Sequence, residues 1–339
     1  MPPGTALEQL HDIIDNLEEV LAKDLDLATL DIENIIMCAM GGSAISANIV
    51  ADCCSGYVGI PISVNRSPML PGWVGGKTLA ILSSYSGNTV ETIEMYKRVK
   101  ERKTPIIVIT SGGKLEEMAK EDGFPVMFLP KGLQPRFSVG FMIGYIGAVL
   151  SSIGYPQFSE RIRPIIGSLK NYRNYLEAPG SVAHLLAEKY KDCVPVICTE
   201  NKFRSISLRW KGQFNENSKL IAFNGALSEF NYCEANPWSK YKGNRMSLII
   251  LVGEDDLQDG GLVKRAVGNI ETLGFSFDLV AIAGTSHEER VFRALILGDY
   301  VSVYIADARG VDPTDVSVIT ELKRRIRISD PDYKGEDKQ

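Results

Sequence analysis

The sequence predicts an α/β protein built from two doubly wound, parallel-sheet units in a sandwich arrangement, with helical extensions at both ends. Three observations carry that expectation. Short apolar runs alternate with helical stretches, which is the pattern of a parallel sheet with crossover helices. The rhythm occurs twice along the chain, without evident sequence identity between the halves. The chain has 339 residues, too many for one ordinary core and suited to two units of about 150 each.

The elements follow in order. Over residues 5–30, Leu7, Leu10, Ile13, Ile14, Leu17, Val20 and Leu21 recur at helical spacing and predict an amphipathic leader helix. Apolar runs at 34–40 (NIIMCAM), 61–65, 79–83, 105–110 and 125–129 predict five strands. Helices are expected from Gly41 to about Cys54, over 90–102 and near 115–121. The long apolar segment 137–153 reads as a buried helix closing the first unit, because it is too short and too interrupted by glycine to span a bilayer. A connecting helical segment over 156–190 leads to the second series. There, strands are expected at 194–198, 247–252 and 277–283, and helices at 203–213, 262–273 and 288–306. Asp312-Pro313-Thr314 is a plausible helix start. The expected boundaries are therefore 1–30 leader helix, 31–155 first unit, 156–190 connection, 191–310 second unit, 311–330 terminal helix and 331–339 charged tail.

Composition excludes several function classes. Basic and acidic residues nearly balance at a net charge of −5, and no long basic stretch appears, so nucleic acid is not an expected partner. The N-terminus lacks an apolar secretion core and no run reaches the length of a membrane span, so a cytoplasmic protein without membrane association is expected. The six cysteines form no CxxC pair and read as small buried residues. His11, His184 and His287 show no ligand spacing, so neither a metal nor another cofactor is expected.

Ser83-Ser84-Tyr85-Ser86-Gly87-Asn88-Thr89 is the sharpest motif. It lies between an apolar strand and a helix. Such a turn aims backbone N–H groups and the positive end of the helix dipole at one point. Ser84, Ser86 and Thr89 add hydroxyl donors, and Gly87 lets the backbone approach closely. A phosphate dianion suits this set better than a single capping hydroxyl would require. Met40-Gly41-Gly42-Ser43-Ala44 has the same strand-to-helix placement, so both loops belong at the carboxyl ends of parallel strands, where ligands bind. In Arg209-Trp210-Lys211-Gly212-Gln213-Phe214-Asn215-Glu216-Asn217, Glu216 is flanked by carboxamides. Taken alone it is a solvated helix residue or an ordered polar site. Lys323 lies on the terminal helix, and its spacing favours solvent.

In these motifs, with Pro135-Arg136-Phe137, Leu297–Ala306 (LGDYVSVYIA) and the segment 312–323, the chain resembles the bifunctional phosphoglucose/phosphomannose isomerases. The likeness runs from about Met40 to Lys323. It implies two sugar-isomerase (SIS) domains and a homodimer that acts on sugar phosphates without a cofactor. It also implies that Gly41, Gly42 and Ser43 line the sugar and that Ser84, Ser86 and Thr89 hold its phosphate. Glu216 would move a proton between C1 and C2, Arg136 would stabilise the enediolate, and Lys323 would assist ring opening. Those residue types suit aldose–ketose isomerisation, which needs a base and a fixed positive charge beside the reacting carbons.

One departure stands out. Where the family has a histidine in an Asn-His-x-Glu segment, this chain reads Asn231-Tyr232-Cys233-Glu234. A phenol titrates near pH ~10 against ~6.5 for imidazole, so Tyr232 is a poor proton acceptor at neutral pH but can donate a hydrogen bond. His287 is a candidate substitute. A sugar-phosphate-binding protein without turnover, or an isomerase of another sugar phosphate, are the competing readings.

Overall fold

The computed structural model describes residues 4–23, 25–27, 30–241, 243, 245–258 and 261–328, so the charged tail 331–339 lies outside the described residues. Helices α1 (Ala6–His11) and α2 (Ile13–Leu21) precede β1 (Asn34–Ala39), α3 (Gly41–Cys54), β2 (Ile62–Asn65), β3 (Thr78–Ser84), α4 (Val90–Glu101), β4 (Ile106–Thr110), α5 (Gly113–Glu121), β5 (Val126–Phe128) and α6 (Val139–Ser152). The connection holds α7 (Gln157–Ile162), α8 (Ile166–Glu177) and α9 (Val182–Tyr190). Then come β6 (Val194–Thr199), α10 (Arg204–Glu216), β7 (Phe223–Ala226), α11 (Leu227–Glu229), α12 (Ala235–Lys240), β8 (Met246–Gly253), α13 (Leu262–Thr272), β9 (Asp278–Ile282), α14 (His287–Ala308) and α15 (Ser317–Ile328).

The strands form two parallel sheets, ordered β2-β1-β3-β4-β5 and β7-β6-β8-β9. Successive side chains in a strand point to opposite faces, and here the alternation sorts residues into separate cores. Ile35, Met37, Leu79, Ile81, Ile107 and Ile109 join one cluster, whereas Ile36, Cys38, Ala80, Leu82, Ile106 and Val108 join another beneath α4 and α5. In the second sheet Ile197, Ile249, Leu251, Val280 and Ile282 face the first cluster, and Val196, Cys198, Leu248, Ile250 and Val252 face α13. The first cluster is thus common to both sheets. Between them lie α2, α3, α6, α8, α9, α10 and α14. Helix α6 is apolar on every side and is buried on every side, as such a helix in this setting must be. No helix among the described residues is long and apolar enough to cross a membrane.

Three expectations need correction. The leader is not one helix over 5–30. It breaks at Asp12 and ends at Leu21, while Leu25, Leu27 and Leu30 reach the common core from non-helical chain. Strand β7 was not expected, because it is a short, largely accessible edge strand containing Asn224 and Gly225 and has no apolar run. The helix expected over 203–213 continues to Glu216, which brings the candidate base onto its last turn.

Helices α10 and α14 meet at an unusually close contact. A Cβ added at Gly298 would lie 2.2 Å from Trp210 Nε1, the atom that donates to Ala294 O at 2.8 Å. Trp210 is fully buried, so it has nowhere to retreat. Gly298→Ala is therefore predicted to destabilise the protein by about 1–3 kcal/mol through overpacking. Urea unfolding followed by tryptophan fluorescence measures this, and an unchanged midpoint would contradict the packing described.

Candidate active site

The site forms where β1 and β3 lie side by side while their chain connections leave in opposite directions, a crevice at the carboxyl ends of the strands. After β3, Ser84 Oγ and Thr89 Oγ1 stand 2.9 Å apart, and Ser86 Oγ accepts from Asn88 N at 3.3 Å. Gly87 has φ +66°, and a Cβ there would lie 1.7 Å from Gly112 O, so only glycine fits. The neighbouring loop braces the turn. Ser111 N and Oγ donate to Tyr85 O at 3.0 and 2.6 Å, and Leu115 N donates to Gly87 O at 2.9 Å. Tyr85 OH in turn donates to Pro130 O at 2.8 Å and accepts from Leu133 N at 2.7 Å. The loop is thus held in shape before any ligand arrives, which lowers the ordering cost of binding.

After β1, Gly41 and Gly42 open α3. A cavity of about 340 Å³ runs between the two loops. Gly41, Gly42, Ser43, Ser84, Ser86 and Thr89 all line it, and so do Lys323 and Ile326 of α15. Lys323 thus stands at the edge of the crevice while remaining exposed, as its spacing suggested.

A second cavity of about 280 Å³ shares Gly41 and Gly42 and contains Arg136 and Glu216. Helix α10 brings Glu216 there because it is fixed at its start and in its middle. At its start Ser205 N donates to Asp52 Oδ2 of α3 at 3.0 Å. In its middle Arg209 is buried against Asp299 of α14, with Nε–Oδ1 2.9 Å and Nη2–Oδ2 2.6 Å. Burial raises the Asp299 carboxyl above its usual range, and Arg209 opposes the rise. Arg209 Nη2 also donates to Arg136 O at 3.1 Å.

Arg136 is only 3% exposed. Its Nε donates to Asn217 Oδ1 at 2.6 Å, its Nη1 to Gln134 Oε1 at 3.3 Å and its Nη2 to Pro313 O. Glu216 Oε2 is 3.5 Å from Nη1, and the Glu216 side chain remains 35% exposed, so the carboxylate is reachable from the crevice. Burial lowers the proton affinity of Arg136, and Glu216 opposes that shift. The result is a guanidinium fixed by neutral acceptors beside an accessible carboxylate.

Several contributors escaped sequence reasoning. Asn217 is fully buried and bridges Arg136 to Ser302 Oγ, its Nδ2 donating at 2.8 Å. Lys219 Nζ donates to Glu216 O at 2.5 Å and to Asp315 O at 2.8 Å, tying the segment before α15 to the end of α10. A lone acid in the apolar run of α14 was the one available signal for Asp299. Two candidates lie elsewhere. Tyr232 is on a π-helical turn, 87% exposed, and lines neither cavity. His287 packs edge-on against Phe203 at 5.4 Å, at the start of α10 rather than the end that carries Glu216, so it does not substitute for the missing histidine in this site.

Removing one partner of a buried ion pair leaves an uncompensated charge, which costs about 3–5 kcal/mol. Asp299→Ala is predicted to lose that much stability in urea unfolding, and the double variant Arg209→Met/Asp299→Leu to regain most of it. A loss below about 1 kcal/mol in the single variant would remove the pair from the argument.

Comparison with known proteins adds the following. Residues 181–326 match the family model described as the bacterial phospho-glucose isomerase C-terminal SIS domain. The chain is 34% identical over 316 residues to the bifunctional phosphoglucose/phosphomannose isomerase of Caldicellulosiruptor bescii, covering 87% of this chain and 90% of that one. It is 32% identical over 303 residues to the protein of the same name from Thermoplasma volcanium, covering 87% and 91%. In structure it is similar to the C-terminal domain of glucosamine-fructose-6-phosphate aminotransferase from Francisella tularensis, with a TM-score of 0.71, 13% identity and coverage of 91% and 98%.

Proposed function

The chain belongs to the bifunctional phosphoglucose/phosphomannose isomerase family, and on that premise we propose that it interconverts glucose 6-phosphate and mannose 6-phosphate with fructose 6-phosphate. The observation that carries this reading is the Arg136–Glu216 approach of 3.5 Å in a cavity continuous, through Gly41 and Gly42, with the Ser84–Thr89 loop. Phosphate is held by Ser84, Ser86, Thr89 and the backbone N–H groups of their turn. The sugar crosses Gly41, Gly42 and Ser43. Lys323 stands at the cavity edge, where it assists ring opening.

Glu216 then takes a proton from C2 of the aldose and returns it to C1. Negative charge develops on the oxygens of the cis-enediol(ate), and Arg136 meets it without first having to move. A preset charge of this kind stabilises the transition state more than the ground state. Rotation of the enediol about C2–C3 before reprotonation presents either face of C2 to the same base, so one carboxylate serves both epimers. On that reading we assign the reaction to carbohydrate metabolism, in glycolysis and gluconeogenesis, and the protein to the cytoplasm.

We also assign a homodimer. Tyr232 is exposed near Ile221 and Phe223 in sequence, themselves accessible apolar residues. Across a two-fold axis it would reach the partner's crevice and donate a hydrogen bond during ring opening. The alternative, a binding protein without turnover, is favoured by the same tyrosine, since the family has a base there.

A positioned general base contributes about 10²–10⁴-fold. Glu216→Gln should lower the rate of formation of both aldose phosphates from fructose 6-phosphate by that factor while binding persists. The variant with Ser84, Ser86 and Thr89 all replaced by Ala should lose binding itself. Binding by wild type with neither product formed would install the non-catalytic reading, and wild-type affinity in the triple variant would overturn the phosphate assignment. Sedimentation velocity is expected to give a dimer, and a monomer would contradict the role given to Tyr232.

A further inference from the structure

The cavity that holds Glu216 carries more positive charge than the chain itself balances. Arg66, Arg136, Arg209 and Lys211 line it. Asp299 neutralises Arg209 and Glu216 faces Arg136, but Arg66 and Lys211 have no carboxylate within 4.0 Å among the described residues. Arg66 is exposed at the mouth of this cavity, yet the protein around it still lowers its proton affinity, and no neighbouring acid offsets that shift. Unpaired cations converging on one crevice repel each other, and a protein of net charge −5 has ample acidic residues to pair them. The partner such a crevice lacks is an anionic group of a ligand.

The sheet says which end of the ligand that is. Arg66 directly follows β2. Asn65, at the end of β2, pairs with Cys38 of β1, and the next residue of β1, Ala39, pairs with Ser83 of β3. The chain therefore leaves β2, β1 and β3 in a row, as Arg66, Met40 and the Ser84–Thr89 turn. Adjacent strands lie about 4.8 Å apart, so two steps span about 10 Å. That is the order of length of an open-chain, six-carbon monophosphate. With the phosphate over β3 and the chain across Gly41–Gly42, the reacting carbons fall toward β2. Asn65 Nδ2 fixes the turn that presents Arg66 by donating to Ser67 O at 2.5 Å.

We propose that Arg66 is a further substrate-binding residue, which holds the end of the open-chain sugar remote from its phosphate and, with Lys211, forms a subsite for an anionic group at C1. It rests on the isomerase reading. The subsite meets charge as it develops on O1 and O2, and it favours phosphorylated sugar acids over phosphorylated sugar alcohols.

The test titrates 6-phosphogluconate and glucitol 6-phosphate into wild type, Arg66→Met and Arg66→Lys, with kcat and KM for fructose 6-phosphate measured in parallel. A charge-assisted contact predicts that Arg66→Met weakens the acid by about 10- to 100-fold. The alcohol should change by less than about threefold, which is within ordinary context effects for a neutral group. In the same variant kcat should fall by more than KM rises, and Arg66→Lys should recover part of the acid's affinity. Unchanged affinity for the acid, or equal weakening of both ligands, overturns the proposal. Failure of wild type to bind either phosphate is a different result: it overturns the isomerase reading and the subsite with it. An unchanged urea midpoint for Arg66→Met separates lost binding from lost fold.

Discussion

The buried pair between Arg209 and Asp299 is the constraint on which the site depends. Arg209 lies on α10 and Asp299 on α14, and the same guanidinium donates to the backbone of Arg136 from the other half of the chain. Two charges taken out of water gain little net stability from their own attraction, because desolvation consumes most of it. What the pair contributes is position. It aligns the last turns of α10, hence Glu216, with the peptide that bears Arg136. Asn217, through Arg136 and Ser302, fixes the guanidinium from a second direction. Neither Glu216 nor Arg136 has to be found by conformational search.

This arrangement explains why the chain has a common core rather than two separate ones. The Ser84–Thr89 turn belongs to the first sheet, Glu216 to a helix of the second, and Lys323 to the terminal helix. A site divided in this way is only as exact as the seam between its parts. The seam is filled by the inner faces of both sheets and the helices between them in one continuous apolar cluster. Its polar contacts are few and specific. Asp52 caps α10 from α3, and both Arg136 and Lys219 hold backbone carbonyls just ahead of α15. The lysine-bearing helix is thus tethered through the same cation that faces Glu216.

Most of the architecture was legible because parallel strands buried on both faces read as unbroken apolar runs, as in Ile106–Thr110 and Leu248–Val252. The phosphate-type turn was legible because its chemistry is local: hydroxyls, a glycine and a helix start within seven residues. What sequence alone obscured was non-local or unpatterned. Strand β7 exists through its pairing with β6 and not through any run of its own. Leu25, Leu27 and Leu30 bury apolar surface without helix, so periodicity overextended the leader. Lys323 is exposed as its spacing suggests, but its place beside the crevice was hidden because most of that crevice is built by residues more than two hundred positions earlier. Arg66 gave no signal at all, since a single arginine after a short strand is unremarkable until the neighbouring strands are placed.

The two sheets repeat one plan, yet their crevices differ in a way the loops explain. In the second sheet β6 and β8 occupy the places of β1 and β3, so the turn after β8 corresponds to the Ser84–Thr89 turn. That turn reads Gly253-Glu254-Asp255-Asp256. Its two aspartates are already engaged: Asp256 accepts from Gly253 N at 3.0 Å and pairs with Lys202, and Asp255 pairs with Arg290 at 2.8 Å. An anion approaching there would meet carboxylates where the first sheet offers hydroxyls and free N–H groups, and the cations nearby are spoken for. The second unit thus carries ion pairs at the place of the first unit's hydroxyl turn, while its helices α10 and α14 supply Glu216 and its support to the crevice of the first. Two units of one plan thus contribute unlike parts to one candidate site.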